Sequence, residues 1–501
     1  MNNSINTSLK TKLSIYGLIS AFSFIYLLLP ILPGISVLIF TLIQCVSIYF
    51  VTKDRNEVKN KKGILVMIPI FILTLNYFIS GSYLFKTTNF FVIIVLYSVM
   101  ILAMTKKLPI NRNNFEFIFK IIAKMFEPFT NFSLPIKWYI VSEGKEVQKY
   151  IIKRILIGIL ITIPCIIFLL IMLSSADVIF SIKMFSISDW IFKIVNFSYL
   201  IKLIYGVFVG LYLFGLLYTV FEEKQLVRKH EGINSLNNSY VKRKVQGDLI
   251  VINILLFSIL IVYTMFIIIQ FKYLFAGGEL PNGLNYSDYA RRGFFELVIL
   301  SILNFGLILI VIYLLKEKIY VEKNKWSQIT KISMLYLCFV TLIMLISSFY
   351  RMNLYDNEYG FTRLRILVNL FLLFESIGLI ATFKYILKPN FNIIASYALI
   401  GLLYYLTLNS IQIDNIIAKR NIDMYLNGQT ETIDINYLMN LSIDATPQIY
   451  RLIDNKNVDI LTKNKAKIYF ENMNIKYSNN ELNWQSYNLS IDKARKLMVN
   501  K

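Results

Sequence analysis

Long apolar stretches constrain this chain more than any other feature. They recur from about residue 13 to about residue 410, each with few charges and about 17 to 25 residues long. At a rise of about 1.5 Å per residue, a helix of that length crosses the roughly 30 Å hydrocarbon core of a bilayer. Composition agrees, because 56% of the residues are hydrophobic and 16% are charged, whereas soluble domains hold about 25% charged residues. The sequence therefore predicts an all-α fold with a polytopic transmembrane helical bundle over residues 1–410.

Eleven candidate spans are present. The first, Leu13–Pro33, follows two lysines as a secretory signal would, but it is too long for one and lacks a small-residue cleavage site. A second span, Ile35–Val51, comes directly after it, so we interpret the two as a helical hairpin. The other nine are Ile64–Gly81, Thr88–Met104, Ile155–Leu173, Tyr199–Phe221, Leu249–Tyr273, Leu297–Leu315, Ile332–Tyr350, Ile366–Ile386 and Phe391–Leu408.

The distribution of positive charge predicts the orientation, because loops rich in Lys and Arg stay in the cytoplasm. With the N-terminus inside, the cytoplasmic segments hold 30 Lys and Arg residues and the opposite segments hold 8. The predicted topology is therefore N-inside and C-outside. The net charge of +22 does not indicate nucleic acid, because residues 411–501 are nearly balanced, with 12 basic and 10 acidic residues. The expected partner of the bundle is the lipid bilayer.

Residues 411–501 contain no further span and are predicted to form a small soluble helical domain on the extracytoplasmic face. Its first helix, Ile411–Leu426, is followed by Asn427 and Gly428, which favour a helix end. Later helices are predicted to begin at the capping residues Asp434, Thr446 and Ser490.

A further amphipathic helix is predicted near 115–126, in the long cytoplasmic loop. Glu116, Lys120 and Lys124 recur every four residues on an otherwise apolar segment. This narrow polar stripe favours a helix lying flat in the inner leaflet or, alternatively, one packed on the bundle. Pro128 is expected to end it.

Cofactor and metal chemistry find little support in the sequence. The three cysteines, Cys45, Cys165 and Cys338, lie inside apolar spans, and the single histidine, His230, lies in a predicted cytoplasmic loop. This set cannot form a disulfide framework or a cysteine-histidine metal site, so neither a metal nor a cofactor is expected.

Enzyme motifs are also missing, so an enzyme is the less favoured interpretation. The sequence has no glycine-rich phosphate loop and no H-E-x-x-H, and its one histidine is on the wrong side for a Ser-His mechanism outside. No catalytic residue is assigned. A carboxylate-dependent transferase using Asp177, Glu296 or Asp356 stays open.

Polar residues near the outer ends of the spans form the candidate site, because ionisable groups at membrane depth are costly. Arg292 and Glu296 are four residues apart and are predicted to pair. Glu375, about ten residues into its span, is expected to pair with an arginine of a neighbouring outer loop. The full set, a binding or purely structural polar cluster, is Asp177, Lys202, Lys272, Tyr289, Arg291, Arg292, Glu296, Arg351, Tyr355, Tyr359, Arg363, Arg365 and Glu375.

Two interpretations of this cluster stay open. Arginine forks bind phosphate or carboxylate and tyrosines form amphipathic walls, which favours an anionic solute or lipid headgroup. Arginine and tyrosine at a membrane interface also anchor helices and pair internally without any ligand.

Several phrases, in the same order, resemble an uncharacterised bacterial multi-pass membrane family, domain-of-unknown-function family 4173. They are SSADVIF at 174–180, YARRGFFEL at 289–297, YRM at 350–352, YGFTRLR at 359–365, IAKRN at 417–421, LSIDA at 441–445 and NLS at 488–490. The resemblance runs from about residue 150 to the end, with Val178 in place of an expected proline. It implies a bacterial cell (cytoplasmic) membrane protein and names no catalytic residue.

Three functions remain after these observations. The first is a non-enzymatic envelope protein whose bundle anchors an outer helical domain that binds an envelope protein partner, with outer arginines holding the domain in place. The second is a transporter or flippase for an anionic solute or lipid, although no internal repeat is apparent and Pro69 and Pro164 are among few mid-span breakers. The third is the membrane-embedded transferase.

Overall fold

The computed structural model describes residues 7–29, 33–53, 60–104, 116–140, 197–222, 248–270, 294–322, 324–388, 390–478 and 483–499, with the single positions 162 and 172. All regular structure within these ranges is helical, which confirms the all-α prediction. Ten of the described helices are long and apolar enough to cross a membrane. The remaining predicted span, Ile155–Leu173, lies outside the described residues apart from those two positions.

The first group of helices contains five of these ten. Its members are α1 (Thr7–Leu28), α2 (Ile35–Thr52), α3 (Met67–Ile79), α4 (Lys86–Met104), the short α5 (Glu116–Phe126) and α6 (Leu134–Ile140), and α7 (Phe197–Glu222). They share a core that includes Leu13, Ile70 and Phe214. Small residues bring α1 and α7 close together, because a Cβ on Gly210 would lie 2.6 Å from the carbonyl oxygen of Gly17.

The second group contains the other five. Its members are α8 (Leu249–Gln270), α9 (Phe294–Glu317), α10 (Lys325–Tyr359), α11 (Arg363–Leu387) and α12 (Ile393–Ser410). Leu256, Ile308 and Met334 are buried in its own separate core. Helix α12 connects the two groups, because Tyr405 and Leu406 on it pack against the core of the first.

Side-chain contacts define the directions of the helices. Gly17 lies against Phe214, and Gly206 lies against Ile25, so α1 and α7 are antiparallel. Successive contacts also make α1 and α2, α2 and α3, and α3 and α4 antiparallel, so α4 and α7 run the same way. The topology prediction has one span, Ile155–Leu173, between α4 and α7, and two helices separated by one span cross the membrane in the same direction.

Helix α10 is much longer than predicted. It has 35 residues, or about 52 Å. It includes most of the interval between the predicted spans Ile332–Tyr350 and Ile366–Ile386, which those two spans predict to be a loop. That prediction of a loop is wrong, because Arg, Met and Leu propagate a helix. The helix ends only at Gly360, whose φ of 73° favours glycine, and α11 begins three residues later.

Within the described residues after 410, five α-helices form a C-terminal layer. They are α13 (Ile413–Leu426), α14 (Ile435–Met439), α15 (Thr446–Asp454), α16 (Ile460–Ser478) and α17 (Leu489–Val499). Their core includes Ile417 and Ile449 and is continuous with Ile366 and Leu408 of the bundle. The division into separate domains at residue 411 therefore stays a prediction.

One of the three predicted caps is confirmed. Asp434 accepts a hydrogen bond from the Tyr437 backbone N–H at 2.9 Å. Thr446 is instead the first residue inside its helix, because a short 3-10 turn precedes it. The last helix is capped by Asn488, whose Oδ1 accepts from the Ser490 N–H, so Ser490 is not the cap.

The amphipathic segment is helix α5, and it ends before Pro128 as predicted. Its residue Lys124 is only 4% exposed, with Nζ 2.8 Å from the carboxylate of Glu127. Because the helix also packs against α4, its position fits the alternative of a helix packed on the bundle.

Candidate functional site

A half-buried ion pair attaches the C-terminal layer to the second group of helices. Arg363, the first residue of α11, donates from Nε and Nη2 to the two carboxylate oxygens of Asp414 at 2.6 and 2.8 Å. The Ser442 backbone N–H donates to the same carboxylate at 2.9 Å. Bidentate pairs of this kind fix orientation as well as distance. Asp414 is 2% exposed, so its side of the pair is shielded from water.

Two opposing effects determine the pKa of Asp414. Burial alone would raise it, but the hydrogen bonds from Arg363 and Ser442 outweigh burial and hold the pKa below its usual value. The carboxylate is therefore a stable anion at neutral pH, matched to the guanidinium across from it.

A second carboxylate attaches the layer to the first group. Asp444 accepts from the Ser80 hydroxyl at 2.5 Å and from the Gly81 backbone N–H at 2.7 Å, directly after the end of α3. Gly81 permits this approach, because a Cβ there would overlap the side chain of Ile443. The contact joins residues more than 360 positions apart in the chain.

Asn488 also forms hydrogen bonds with the end of α3. A helix leaves its last four carbonyl groups without partners inside the helix. The Asn488 amide donates to the carbonyls of Tyr77 and Ser80, both at 2.8 Å, and the Ser490 hydroxyl donates to that of Ile79 at 2.9 Å. One asparagine thus donates hydrogen bonds to carbonyl groups at the end of α3 and caps the start of α17.

The turn between α10 and α11 is held by Asn421. Its amide accepts from the Phe361 N–H at 2.6 Å and donates to the Phe361 carbonyl at 2.9 Å. A Cβ on Gly360 would lie 2.8 Å from the same amide oxygen. We call the contacts made by Asp414, Asn421, Asp444 and Asn488 the docking contacts, and together they reach both groups of helices.

Three residues of the predicted polar cluster meet beside this attachment. Arg351, Tyr355 and Arg365 line one cavity at the ends of α10 and α11. The Arg365 guanidinium lies 4.0 Å from the centroid of the Tyr355 ring, donates to the Gly360 carbonyl and approaches Asp356 at 3.8 Å. Tyr359 is adjacent, with its ring centroid 4.8 Å from that of Tyr355.

Glu375 lies apart from these arginines. One carboxylate oxygen accepts from the Ser301 hydroxyl at 2.7 Å, and no ion pair with an arginine is found for it among the described residues. Arg291 and Arg292 of a neighbouring loop lie outside the described residues, so the expected arginine partner of Glu375 stays a prediction. Ten residues of helix separate Glu375 from Arg365, about 15 Å along α11, which is beyond side-chain reach.

Two further predicted residues in the described part of the chain, Lys202 and Glu296, do not line the cavity. Lys202 is on α7, in the first group, 5.6 Å from the Tyr199 ring centroid. Glu296 is exposed in the first turn of α9, and its predicted partner Arg292 lies outside the described residues. The same holds for Asp177, Lys272, Tyr289 and Arg291.

Sequence reasoning missed every residue on the C-terminal side of the docking contacts. Asn421, Asp444 and Asn488 nevertheless occur in the phrases IAKRN, LSIDA and NLS that carry the family resemblance. Their place in those phrases was the signal by which the sequence could have singled out these residues. The phrases did not identify the partners of these residues, because the partners lie between 60 and 411 positions away in the chain.

Taken together, ten apolar helices and a helical layer attached to their ends define an integral membrane protein. The family described as "Domain of unknown function (DUF4153)" matches residues 67–452, and the chain belongs to that family. Membership of an uncharacterised family is thereby confirmed, although the number 4173 is not supported. Comparison with curated proteins and with solved structures gives no match. The matched range contains both partners of the Arg363–Asp414 and Ser80–Asp444 contacts.

We predict that Asp414→Asn weakens the fold. The expected loss in the free energy of unfolding is about 2 kcal/mol, less than the roughly 3–5 kcal/mol of a fully buried pair, because the Arg363 side chain is 35% exposed. Denaturant unfolding of the purified full-length protein measures it. The control is Asp492→Asn, which breaks a surface pair with Lys496 and is expected to leave the free energy of unfolding close to that of the wild type.

The effect should depend on pH. Because the folded pKa of Asp414 is lowered, its contribution is complete above the unfolded value of about 3.9 and is lost as the pH falls through the folded value. The difference between Asp414→Asn and the wild type should therefore shrink between about pH 7 and pH 3. An equal difference at both pH values would contradict this assignment.

Proposed function

We propose that this protein is a non-enzymatic anchoring and binding protein of the bacterial cell envelope. In this proposal the bundle lies in the cytoplasmic membrane and holds the C-terminal layer at its outer face, where the layer binds an envelope protein partner. The Arg363–Asp414 ion pair is the observation that carries the proposal. It supports the idea that arginines at the helix ends hold the layer in place.

The docking contacts favour a fixed platform. Asp444 and Asn488 bind the end of α3, in the first group, whereas Asp414 and Asn421 bind the start of α11 and the turn before it, in the second. The layer therefore bridges both groups at one face of the bundle. A rigid attachment of this kind positions a binding surface at a defined height and orientation above the membrane.

The same bridge argues against a transporter that moves one group of helices against the other. Such rocking would separate partners in the ion pair or in the contacts at α3. Glu375, the carboxylate at membrane depth, accepts a hydrogen bond from Ser301, and both residues belong to the second group of helices. That hydrogen bond therefore does not cross the boundary between the two groups. This arrangement supports a structural role for Glu375.

An exposed apolar stripe supports a binding role for the layer. Leu461, Ile468 and Ile475 repeat every seven residues on α16 and are 67%, 53% and 65% exposed. Residues at this spacing lie on one side of a helix. Apolar side chains at heptad spacing on one side of a helix can serve as anchors in the groove of a partner protein.

Charge-reversal variants tested in cells distinguish the anchoring proposal from the transport proposal. We expect Asp414→Arg to abolish complementation of a strain lacking the gene, because like charges repel the layer, and the swap Asp414→Arg with Arg363→Asp to restore part of it. Glu375→Gln should complement fully, since glutamine retains an acceptor for Ser301. Loss of function in Glu375→Gln, with normal insertion and a normal response to the charge swap, would favour transport.

The outer location of the layer has its own test. In a chain whose cysteines are replaced, Lys467→Cys on α16 should react with a membrane-impermeant maleimide in intact cells. Lys325→Cys at the start of α10 is the control, exposed but at the opposite end of the bundle, and should react only after permeabilisation. The reverse pattern would overturn the proposed orientation.

A further inference from the structure

A cavity of about 250 Å³ lies at the end of the bundle that carries the C-terminal layer. It is formed where the start of α9, the end of α10 and the start of α11 meet. The residues that line it are Phe294, Phe295, Arg351, Met352, Tyr355, Thr362, Leu364 and Arg365. Its position differs from the docking contacts, although Thr362 and Leu364 flank the docking residue Arg363.

The chemistry of this lining favours an anion. Two guanidinium groups, from Arg351 and Arg365, line the cavity. The Asp356 carboxylate lies 3.8 Å from Arg365 Nε but is not among the described residues that line the cavity. Arg351 is 4% exposed, and the Arg365 side chain is 14% exposed. Charges so little exposed interact strongly with an opposite charge, because water screens them poorly. A planar guanidinium is also well suited to phosphate oxygens.

The start of α11 adds to this preference. The Arg363 backbone N–H donates to the Tyr437 hydroxyl at 3.0 Å, but the cap residue Thr362 makes no side-chain hydrogen bond to the Leu364 and Arg365 N–H groups of the same turn. The positive end of the helix dipole then lies at the wall of the cavity formed by Thr362, Leu364 and Arg365.

The remaining walls are apolar and open towards the surface of the bundle. Phe295 and Leu364 are 52% and 58% exposed, and both belong to helices of membrane length. The volume is below the roughly 300–1,000 Å³ of sites that enclose a whole drug-sized ligand. A small charged group therefore fits inside, with apolar parts of the same molecule lying against the outer surface of the helices.

We propose that this cavity binds a phosphate-bearing anionic group, supplied by the headgroup of an anionic phospholipid. Arg351 and Arg365 hold the phosphate oxygens, and Phe295 and Leu364 contact the adjoining glycerol and acyl chain. The inference goes beyond the anchoring function and does not depend on it. A free phosphate ion offers the same charged chemistry without the apolar contacts.

Native mass spectrometry of the purified full-length protein tests this site. The probes are phosphatidylglycerol, phosphatidylcholine and inorganic phosphate. We expect one phosphatidylglycerol to be retained in preference to phosphatidylcholine. Arg351→Gln and, independently, the cavity-filling Leu364→Trp should each weaken that binding about tenfold or more, the change expected when a hydrogen bond to a charged group is lost. A melting curve of each variant checks that it is folded.

The control is Arg451→Gln, which removes one arginine from a surface pair in the C-terminal layer and should leave lipid binding unchanged. Displacement of the lipid by millimolar phosphate would support the same site with free phosphate as its source. No displacement would support the lipid headgroup. Equal retention of the two lipids, or unchanged binding in both folded cavity variants, would overturn the proposal.

Discussion

The bidentate pair between Arg363 and Asp414 is the interaction on which the arrangement of this protein depends. It couples the first residue of a membrane-length helix to a buried carboxylate in the layer above, in a single geometry. Because removal of either partner leaves a charge without its counter-ion, the attachment is costly to break. The nearby contacts of Asn421 with Phe361 fix the turn that presents Arg363. The layer is thereby fixed to the bundle by side-chain contacts as well as by its chain connection to α12.

At the other group of helices the attachment uses unpaired backbone groups. The end of α3 has carbonyls that its own helix cannot satisfy, and Asn488 and Ser490 supply the donors. Asp444 binds the residues that follow. The two groups have separate cores and are linked by α12 and by the layer. A protein built in this way resists relative motion of its halves, which suits an anchor that presents a fixed surface.

Much of the bundle could be predicted from the sequence, because apolar length and loop charge are local properties. Ten of the eleven predicted spans correspond to described helices, and Asp434 was recognisable as a cap. The docking contacts were not predictable, because a carboxylate such as Asp414 gives no indication of a partner 51 residues away. The length of α10 was underestimated, because the predicted span ended at Tyr350, where charged residues begin, whereas the helix continues to Tyr359. Arg351, Tyr355 and Arg365 were predicted together, and they do line one cavity, whereas Glu375 lies about ten residues further along α11 and bonds to Ser301.

A disulfide trap measures the central claim, that the layer is docked on the bundle, most directly. The Cβ of a residue at position 81 would lie 3.6 Å from the Cβ of Ile443, within the roughly 3.5–4.5 Å of a disulfide. In a chain without other cysteines, Gly81→Cys with Ile443→Cys should therefore cross-link rapidly and almost completely when membranes are oxidised. The control, Gly81→Cys with the exposed Asn464→Cys, should not. Slow or partial cross-linking of the first pair, no better than the control, would contradict a docked layer.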